Sequence, residues 1–209
     1  MDNSPKTCLF LNGSPPEKAL VDSYCPAGSA VLCTDGAYDY LSALDLTPDL
    51  LIGDMDSISE LPDTMTVQIL ASDGTENNDL EKALIHCRDK GMRTLRIFGA
   101  DGKRLDHFLV NFATLAAYAA DLEIEVFTKE DYLRFFTPGT YLLPCEPSQR
   151  FSLLAIKEVL GLTLSGARFA LEYDRLAPGS RGLGNHATAR ELHLSFSSGL
   201  LIYISDLLP

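Results

Sequence analysis

Several segments rich in aspartate each follow a short apolar run in this chain. The aspartates that stand out in them are Asp35, Asp54, Asp56, Asp79 and Asp106. Any one of these would be an ordinary loop or helix-capping residue. Carboxylates that meet at one edge of a sheet, however, repel one another and stay ionised only if a cation joins them. Hard oxygen ligands of this kind favour Mg²⁺, which also binds phosphate groups, so the pattern predicts metal-assisted phosphate chemistry.

Two basic side chains lie beside these acids. Residues 99–103 read Gly-Ala-Asp-Gly-Lys, and Arg104 follows. This is not a Walker A loop, which needs four residues between its glycines and Ser or Thr after the lysine. Neither Walker A nor GxGxxG occurs elsewhere, which disfavours a P-loop kinase and a dinucleotide oxidoreductase. The Arg104 guanidinium could clamp a phosphate through two N–H groups, or the segment could be a tight turn with solvated bases.

An alternation of strand-like and helix-like segments would position these residues. Short apolar runs, several ending in Gly, Asp or Asn, predict buried parallel strands at residues 7–11, 31–34, 50–52, 66–70, 95–98 and 123–127. Apolar residues at helical spacing predict three helices. The first covers 37–46, the second begins at Leu80 with Asp79 as its N-cap, and the third runs from Leu105 to Ala119. The alternation predicts an open α/β domain with a mostly parallel sheet.

The pattern changes after about Leu133. Prolines interrupt the next stretch, and apolar runs separated by Gly- and Ser-rich turns follow at residues 151–156, 159–164, 167–173, 191–196 and 200–204. This spacing predicts a small all-β sandwich or barrel. We therefore expect an α/β domain over residues 1–133 and a β-sandwich domain over 134–209.

Composition and charge narrow the class of protein. The 209 residues include 17 basic and 29 acidic side chains, a net charge of −12, which argues against broad nucleic-acid binding. No signal-like N-terminus and no apolar run of membrane-spanning length occurs, so we expect no membrane association. Five widely spaced cysteines without a CxxC pattern indicate reduced thiols, and together these features predict a cytoplasmic protein.

The same residues form an ordered series of motifs that resembles the thiamine pyrophosphokinase family. Residues 35–37 match its DGG/DGA segment, and residues 48–57 match P-D-x-x-x-G-D-x-D-S without gaps. Residues 78–84 correspond to T-D-x-x-x-A-L, and residues 99–111 match G-A-x-G-x-R-x-D-H-x-x-x-N. The turn G-x-S-N of the family's second domain is approximated by residues 182–185.

The resemblance implies a fold, an assembly and a reaction. Members have two domains and form homodimers, with the thiamine site between the α/β domain of one subunit and the β domain of the other. We expect the apolar strands at 153–156 and 200–204 to supply the interface. The implied reaction transfers the diphosphoryl group of ATP to the hydroxyl of thiamine, giving thiamine diphosphate and AMP, with Mg²⁺ as cofactor.

The resemblance also assigns roles to residues. Asp54 and Asp79 are expected as Mg²⁺ ligands, with Asp56 and Asp106 as further ligands or orienting groups, either of which could accept the hydroxyl proton. Arg104 is expected to stabilise charge on the transferring group. The residues expected to contact ATP or hold its loop are Asp35, Gly36, Lys103, Arg104, His107 and Asn111. Those expected on the thiamine side are Asn78, Gly184 and Asn185.

The chain departs from the family pattern at two of these positions, and two other functions remain open. Asn78 stands where the family has Thr, and Gly184 stands where it has Ser, which removes a hydroxyl near the thiamine pyrimidine. A related diphosphokinase acting on another alcohol, such as a hydroxymethylpterin, would keep the acids and alter the β domain. A non-catalytic module that binds thiamine or a nucleotide would not need so many carboxylates.

Overall fold

The computed structural model describes residues 6–59, 67–71 and 76–207 and divides the chain into two compact units. The first comprises Met1–Lys129 and the second Glu130–Pro209. This boundary lies four residues before the one expected from the sequence. The reason is that the first antiparallel strand of the second unit already begins at Asp131, ahead of the proline-rich stretch.

The first unit contains a parallel sheet of six strands. They are β1 (Thr7–Phe10), β2 (Ala30–Thr34), β3 (Leu50–Gly53), β4 (Gln68–Ala71), β5 (Thr94–Phe98) and β6 (Glu123–Phe127). Their order is β4-β3-β2-β1-β5-β6, with every pair parallel. The chain moves outward from β1 in one direction through β4, then returns to place β5 on the other side of β1. The carboxyl ends of β1 and β5 are thus a topological switch point, where sheets of this class bind ligands.

The strands form where the sequence predicted them because their side chains are buried on both faces. Cys8, Leu9 and Phe10 of β1 are fully buried, as parallel strands covered on both sides require. The rings of Phe10 and Phe98 stack with centroids 5.0 Å apart, and Phe98 stacks on Phe127 at 5.4 Å. These aromatic contacts join β1, β5 and β6, the strands that surround the switch point.

The helices differ from the sequence prediction at their ends. They are α1 (Lys18–Tyr24), α2 (Asp35–Leu41), α3 (Asp79–Asp89) and α4 (Leu105–Tyr118). The first has one buried side chain and was not predicted. The helix expected over 37–46 is α2 followed by a 3₁₀ turn, which ends where Asp45 takes a left-handed φ of 58°. The N-cap of α3 is Asn78 and not Asp79, because the Asn78 side chain accepts a hydrogen bond from Glu81 N at 2.9 Å.

The second unit is built from seven antiparallel strands. They are β7 (Asp131–Phe136), β8 (Gly139–Pro144), β9 (Arg150–Ser165), β10 (Leu171–Leu176), β11 (Asn185–His186), β12 (Glu191–Phe196) and β13 (Ser198–Asp206). The runs predicted at 151–156 and 159–164 are one strand, β9. Its buried positions change from odd to even numbers on either side of Gly161, which has a φ of 66°. The strands β7, β8 and β11 were not predicted.

The predicted sandwich needs correction, and the parallel pairing predicted for the first domain does not extend to the rest of the chain. Strands β10, β11, β12 and β13 all pair with β9, so the second unit is organised around one shared strand and not as two separate sheets. Of the thirteen strands in the described part of the chain, seven are antiparallel, and the strand arrangement is therefore mixed. Leu200, Leu201, Ile202 and Tyr203 of β13 are all buried in the single chain, so this strand does not need a partner subunit to cover it.

Among the described residues, no helix has the length and apolar character needed to cross a bilayer.

Candidate functional site

A pocket of about 280 Å³ lies at the carboxyl edge of the parallel sheet, around the switch point between β1 and β5. Turns and helix starts that follow β1, β2, β3, β4 and β5 line it. The lining residues with polar side chains are Asn12, Thr34, Asp35, Ser57, Asn78, Asp79, Lys103, Arg104, His107 and Asn111. One pocket thus gathers acids from two of the predicted segments together with both predicted bases.

Three carboxylates form a close cluster at this edge. Asp35, Asp54 and Asp56 each offer an oxygen atom, and these atoms lie within 4.8 Å of one another. Asp35 is buried, whereas Asp54 and Asp56 are exposed. One oxygen of Asp35, Oδ1, accepts a hydrogen bond from Gly36 N at 2.6 Å, but Oδ2 is buried and meets no hydrogen-bond donor within the described part of the chain. Such an orphaned carboxylate oxygen is the atom that a bound cation would satisfy.

The electrostatics of the cluster follow from burial and like charge. Burial raises the pKa of Asp35 above its ordinary value, and the charges of Asp79, Asp54 and Asp56 raise it further. The pKa of Asp54 is lowered, mainly by the hydrogen bond of 3.2 Å that its Oδ1 accepts from Asp56 N. A divalent cation would remove the repulsion that acts on Asp35, and an all-carboxylate donor set suits Mg²⁺.

Asp79 lies in the same pocket but outside this cluster. Its Oδ1 accepts a hydrogen bond from Lys82 Nζ at 3.0 Å, and both side chains are largely buried. The pair forms because residues three apart on α3 face each other. Of the four predicted metal ligands, the structure therefore brings Asp54 and Asp56 together, adds Asp35 to them, and gives Asp79 a lysine partner.

Asp106, the fourth predicted ligand, is paired with Arg104. Its two oxygens accept hydrogen bonds from Arg104 Nε at 3.0 Å and Arg104 Nη2 at 2.5 Å, and His107 N also donates to it at 2.9 Å. The guanidinium holds the pKa of Asp106 well below its usual range. A carboxylate with this pKa is a weak base, which disfavours Asp106 as the acceptor of a hydroxyl proton.

The remaining predicted nucleotide contacts also lie around the pocket. Asn111 on α4 donates from Nδ2 to the carbonyl oxygen of Ala100 at 3.2 Å and so braces the turn after β5. In that turn Lys103 has a left-handed backbone with a φ of 53°. Its ammonium donates a hydrogen bond to the side-chain oxygen of Asn12. Gly36 sits against the Asn12 side chain, at the first turn of α2.

The turn after β1 was missed by the sequence analysis. Leu11, Asn12 and Gly13 line the pocket, and Ser14 N donates to Asp101 O at 2.7 Å. The signal was present, since an Asn-Gly-Ser-Pro sequence directly follows the first predicted strand. Asn12 and Gly13 carry no charge, so the sequence alone does not mark them as part of a phosphate site. The strand order places their turn at the switch point.

The residues predicted on the thiamine side have other local partners. Asn78 caps α3, and Asn185 of the second unit is buried. The Asn185 side-chain oxygen accepts hydrogen bonds from Phe169 N at 3.0 Å and His186 N at 2.9 Å, and its nitrogen donates to Phe169 O at 2.9 Å. Only one N–H remains free, so this amide cannot offer both a donor and an acceptor to an aminopyrimidine. Gly184 has a φ of 70°, a backbone that a serine would adopt only under strain.

The fold and the pocket define an open α/β protein with an acidic ligand site at the carboxyl ends of its parallel strands. The chain belongs to the thiamine pyrophosphokinase family. The family profile described as "Thiamin pyrophosphokinase, catalytic domain" matches residues 21–127, slightly more than half of the chain. That range contains the carboxylate cluster and both bases, and it leaves out the turn after β1.

Individual relatives agree with this assignment. The thiamine pyrophosphokinase of Bacillus subtilis (strain 168) is 29% identical over 133 residues, which cover 62% of this chain and 62% of that protein. The crystal structure of thiamine pyrophosphokinase from Bacillus subtilis has a TM-score of 0.84 at 23% identity, covering 98% of this chain and 100% of that one. The Candida albicans thiamin pyrophosphokinase has a TM-score of 0.76 at 14% identity, covering 97% and 90%. At these identities the two structures establish the shared fold.

Proposed function

We propose that this chain transfers the diphosphoryl group of ATP to the hydroxyl of thiamine, giving thiamine diphosphate and AMP. The observation that carries the proposal is a pocket of a family member that Asp35, Lys103 and Arg104 line, with Asp54 and Asp56 clustered beside Asp35. Transfer of this kind depends mainly on positioning and on neutralising phosphate charge. Opposite charges placed around one pocket suit both tasks.

Asp35, Asp54 and Asp56 would hold Mg²⁺. The unpartnered Oδ2 of Asp35 and the close approach of three carboxylates support this ligand set. When bound, Mg²⁺ would neutralise negative charge on the phosphates of ATP. Asp79 contacts Lys82 through Oδ1 alone, and we place it next to the metal site as a further ligand or water-orienting group.

The basic side chains would receive the phosphates. Lys103 contributes a point charge, and Arg104 a planar guanidinium that can hold two phosphate oxygens at once. Asp106 accepts hydrogen bonds from Nε and Nη2 along one edge of the Arg104 guanidinium, and this pairing fixes the orientation of the group. We therefore assign Asp106 the orienting role and not that of a metal ligand or base. His107 and Asn111 complete the nucleotide side of the pocket.

We further propose that the protein is a homodimer. The interface expected from β13 is not needed, but α4 carries exposed apolar side chains, with Leu105, Leu109 and Val110 at least half exposed. A second subunit covering this face would bury them. The thiamine roles of Asn78, Gly184 and Asn185, and the cytoplasmic location, stay predictions from the sequence.

The test is incubation of the protein with ATP, Mg²⁺ and thiamine, followed by measurement of AMP and ADP. The proposal expects AMP in proportion to thiamine diphosphate, and it expects no product from Asp54→Asn that folds like the wild type. Formation of ADP would indicate a simple kinase and would contradict the proposal. Turnover with a hydroxymethylpterin, and none with thiamine, would show that the substrate is another alcohol.

A further inference from the structure

The turn after β1 is locked against the turn after β5. A Cβ atom on Gly13 would lie 2.2 Å from the carbonyl oxygens of both Gly99 and Asp101. A Cβ on Gly102 would lie 1.9 Å from Ser14 Oγ. Two main-chain hydrogen bonds join the same segments, Leu11 N to Phe98 O at 2.9 Å and Ser14 N to Asp101 O at 2.7 Å. The two turns therefore form one wall of the pocket.

Asn12 is the side chain at which three of the turns meet. Its oxygen accepts a hydrogen bond from Lys103 Nζ, which joins the turns after β1 and β5. On its other side, a Cβ on Gly36 would lie only 1.8 Å from Asn12 Nδ2, so the amide fills the space above the first turn of α2. The left-handed φ of 53° at Lys103 is the backbone conformation from which its ammonium reaches Asn12.

We propose that Asn12 is a positioning residue that holds the Lys103 ammonium in the pocket, ready to receive a phosphate of the nucleotide. The inference rests on the proposed function, and Asn12 precedes the residues that the family profile matches. Lysine has a long, flexible side chain, and fixing it before the ligand arrives reduces the entropy lost on binding.

A neutral amide suits this role better than a carboxylate. The amide oxygen accepts the ammonium hydrogen bond but leaves the full positive charge available to a phosphate. An aspartate at this position would hold the lysine equally well, but its negative charge would also repel the phosphates. This difference separates a positioning residue from one that merely fills space.

Amine labelling without any nucleotide tests the contact itself. The folded wild type, Asn12→Ala and Asn12→Asp are treated with an acylating reagent, and the rate at each lysine is read by mass spectrometry. We expect Lys103 to react several-fold faster in Asn12→Ala and at the wild-type rate or slower in Asn12→Asp. Lys129, an exposed lysine paired with Glu17, should react equally in all three. Equal Lys103 rates in the wild type and Asn12→Ala would overturn the proposal.

A double-mutant cycle on nucleotide binding tests the consequence. We expect Asn12→Ala to weaken binding of a non-hydrolysable ATP analogue with Mg²⁺ by up to about tenfold, because the Lys103 side chain must then be ordered when the nucleotide binds. In a Lys103→Met background the same change should have almost no effect, and Asn12→Asp should weaken binding despite keeping Lys103 protected. An equal loss in both backgrounds would contradict the proposal. Neither measurement involves thiamine, so a wild type that binds the analogue but forms no AMP would overturn the proposed function alone.

Discussion

Asp35 is the side chain at the site whose ionised form is most destabilised when no cation is present. It is buried, one of its oxygens has no hydrogen-bond donor among the described residues, and two further carboxylates lie within 4.8 Å. In the folded protein its pKa is raised, so between the ordinary aspartate pKa and the raised value the folded state holds more protons than the unfolded state. The free energy of unfolding therefore falls as the pH rises through that interval.

Replacing Asp35 by Asn tests this account of the cluster. In metal-free buffer at neutral pH, Asp35→Asn should raise the melting temperature, because it removes like-charge repulsion while keeping the oxygen that Gly36 N contacts. The difference from the wild type should shrink as the pH falls towards the ordinary aspartate pKa, because the raised pKa of Asp35 lets the wild-type carboxyl take up its proton in that interval. Millimolar Mg²⁺ should stabilise the wild type and leave the variant nearly unchanged. An equal Mg²⁺ effect on both proteins would remove Asp35 from the ligand set.

The cysteines should differ sharply in reactivity, because their surroundings differ. Burial raises the pKa of Cys33 and of Cys87 to about 12. The pKa of Cys25 is lowered, first by a hydrogen bond from the Cys8 thiol and then by Ser29 and Arg96, and Cys25 is partly exposed. With iodoacetamide at pH 8, peptide mapping should find Cys25 alkylated first. Faster alkylation of Cys33 or Cys87 in the folded protein would contradict these environments.

At the scale of elements, the site depends on two turns that pack without room for a side chain. Gly13→Ala would force its Cβ against two carbonyl oxygens, so the turn after β1 must shift. We expect a lower melting temperature and an increased KM for ATP. Gly91→Ala is the matched control, because Gly91 has a φ of 74° but open space around its Cβ. Its cost should be backbone strain of about 1 kcal/mol with an unchanged KM for ATP. Equal KM values in the two variants would show that the packing of this turn is unimportant for the nucleotide.

The sequence was a good guide to elements whose local pattern agrees with their environment. Continuous apolar runs located β1 to β6, and acids after those runs located Asp35, Asp54 and Asp56 at one edge. The prediction of elements failed where contacts between residues far apart in the chain determine the structure. The shared strand β9 was divided in two because Lys157 and Glu158 interrupt its apolar pattern, although the strand continues through them. The segment 72–75, between β4 and α3, lies outside the described residues.

Partnerships between charged groups were the least predictable part of the site. Sequence spacing placed Asp106 in the first turn of α4 and Asp79 at the start of α3, although Asp79 is the first helical residue and not the N-cap. It did not indicate that Lys82 would pair with Asp79 and Arg104 with Asp106, because the choice between a metal and a basic side chain depends on side-chain rotamers. Asn12 was missed because it carries no charge, and its contacts with Gly36 and Lys103 appear only in the folded chain.

At the scale of the whole molecule, the exposed apolar face of α4 predicts how subunits associate. In sedimentation velocity at micromolar concentration, the wild type should be a dimer, and Leu109→Asp should be a folded monomer, because a charge cannot be buried there without a partner. Leu142→Asp is the control, since Leu142 on β8 is an equally exposed leucine in the second unit. It should sediment like the wild type. A monomeric wild type with full activity would remove the dimer from the proposal.

A radioactive label in ATP can show directly whether two phosphoryl groups move together to thiamine. Protein is incubated with Mg²⁺, thiamine and ATP that carries ³²P only at the β-phosphorus, and the products are separated by chromatography. The account predicts that the label appears in thiamine diphosphate while AMP is unlabelled, since attack at the β-phosphorus carries both outer groups away. Label found in ADP, with an unlabelled thiamine product, would mean that only the γ-phosphoryl group moves and would contradict the account.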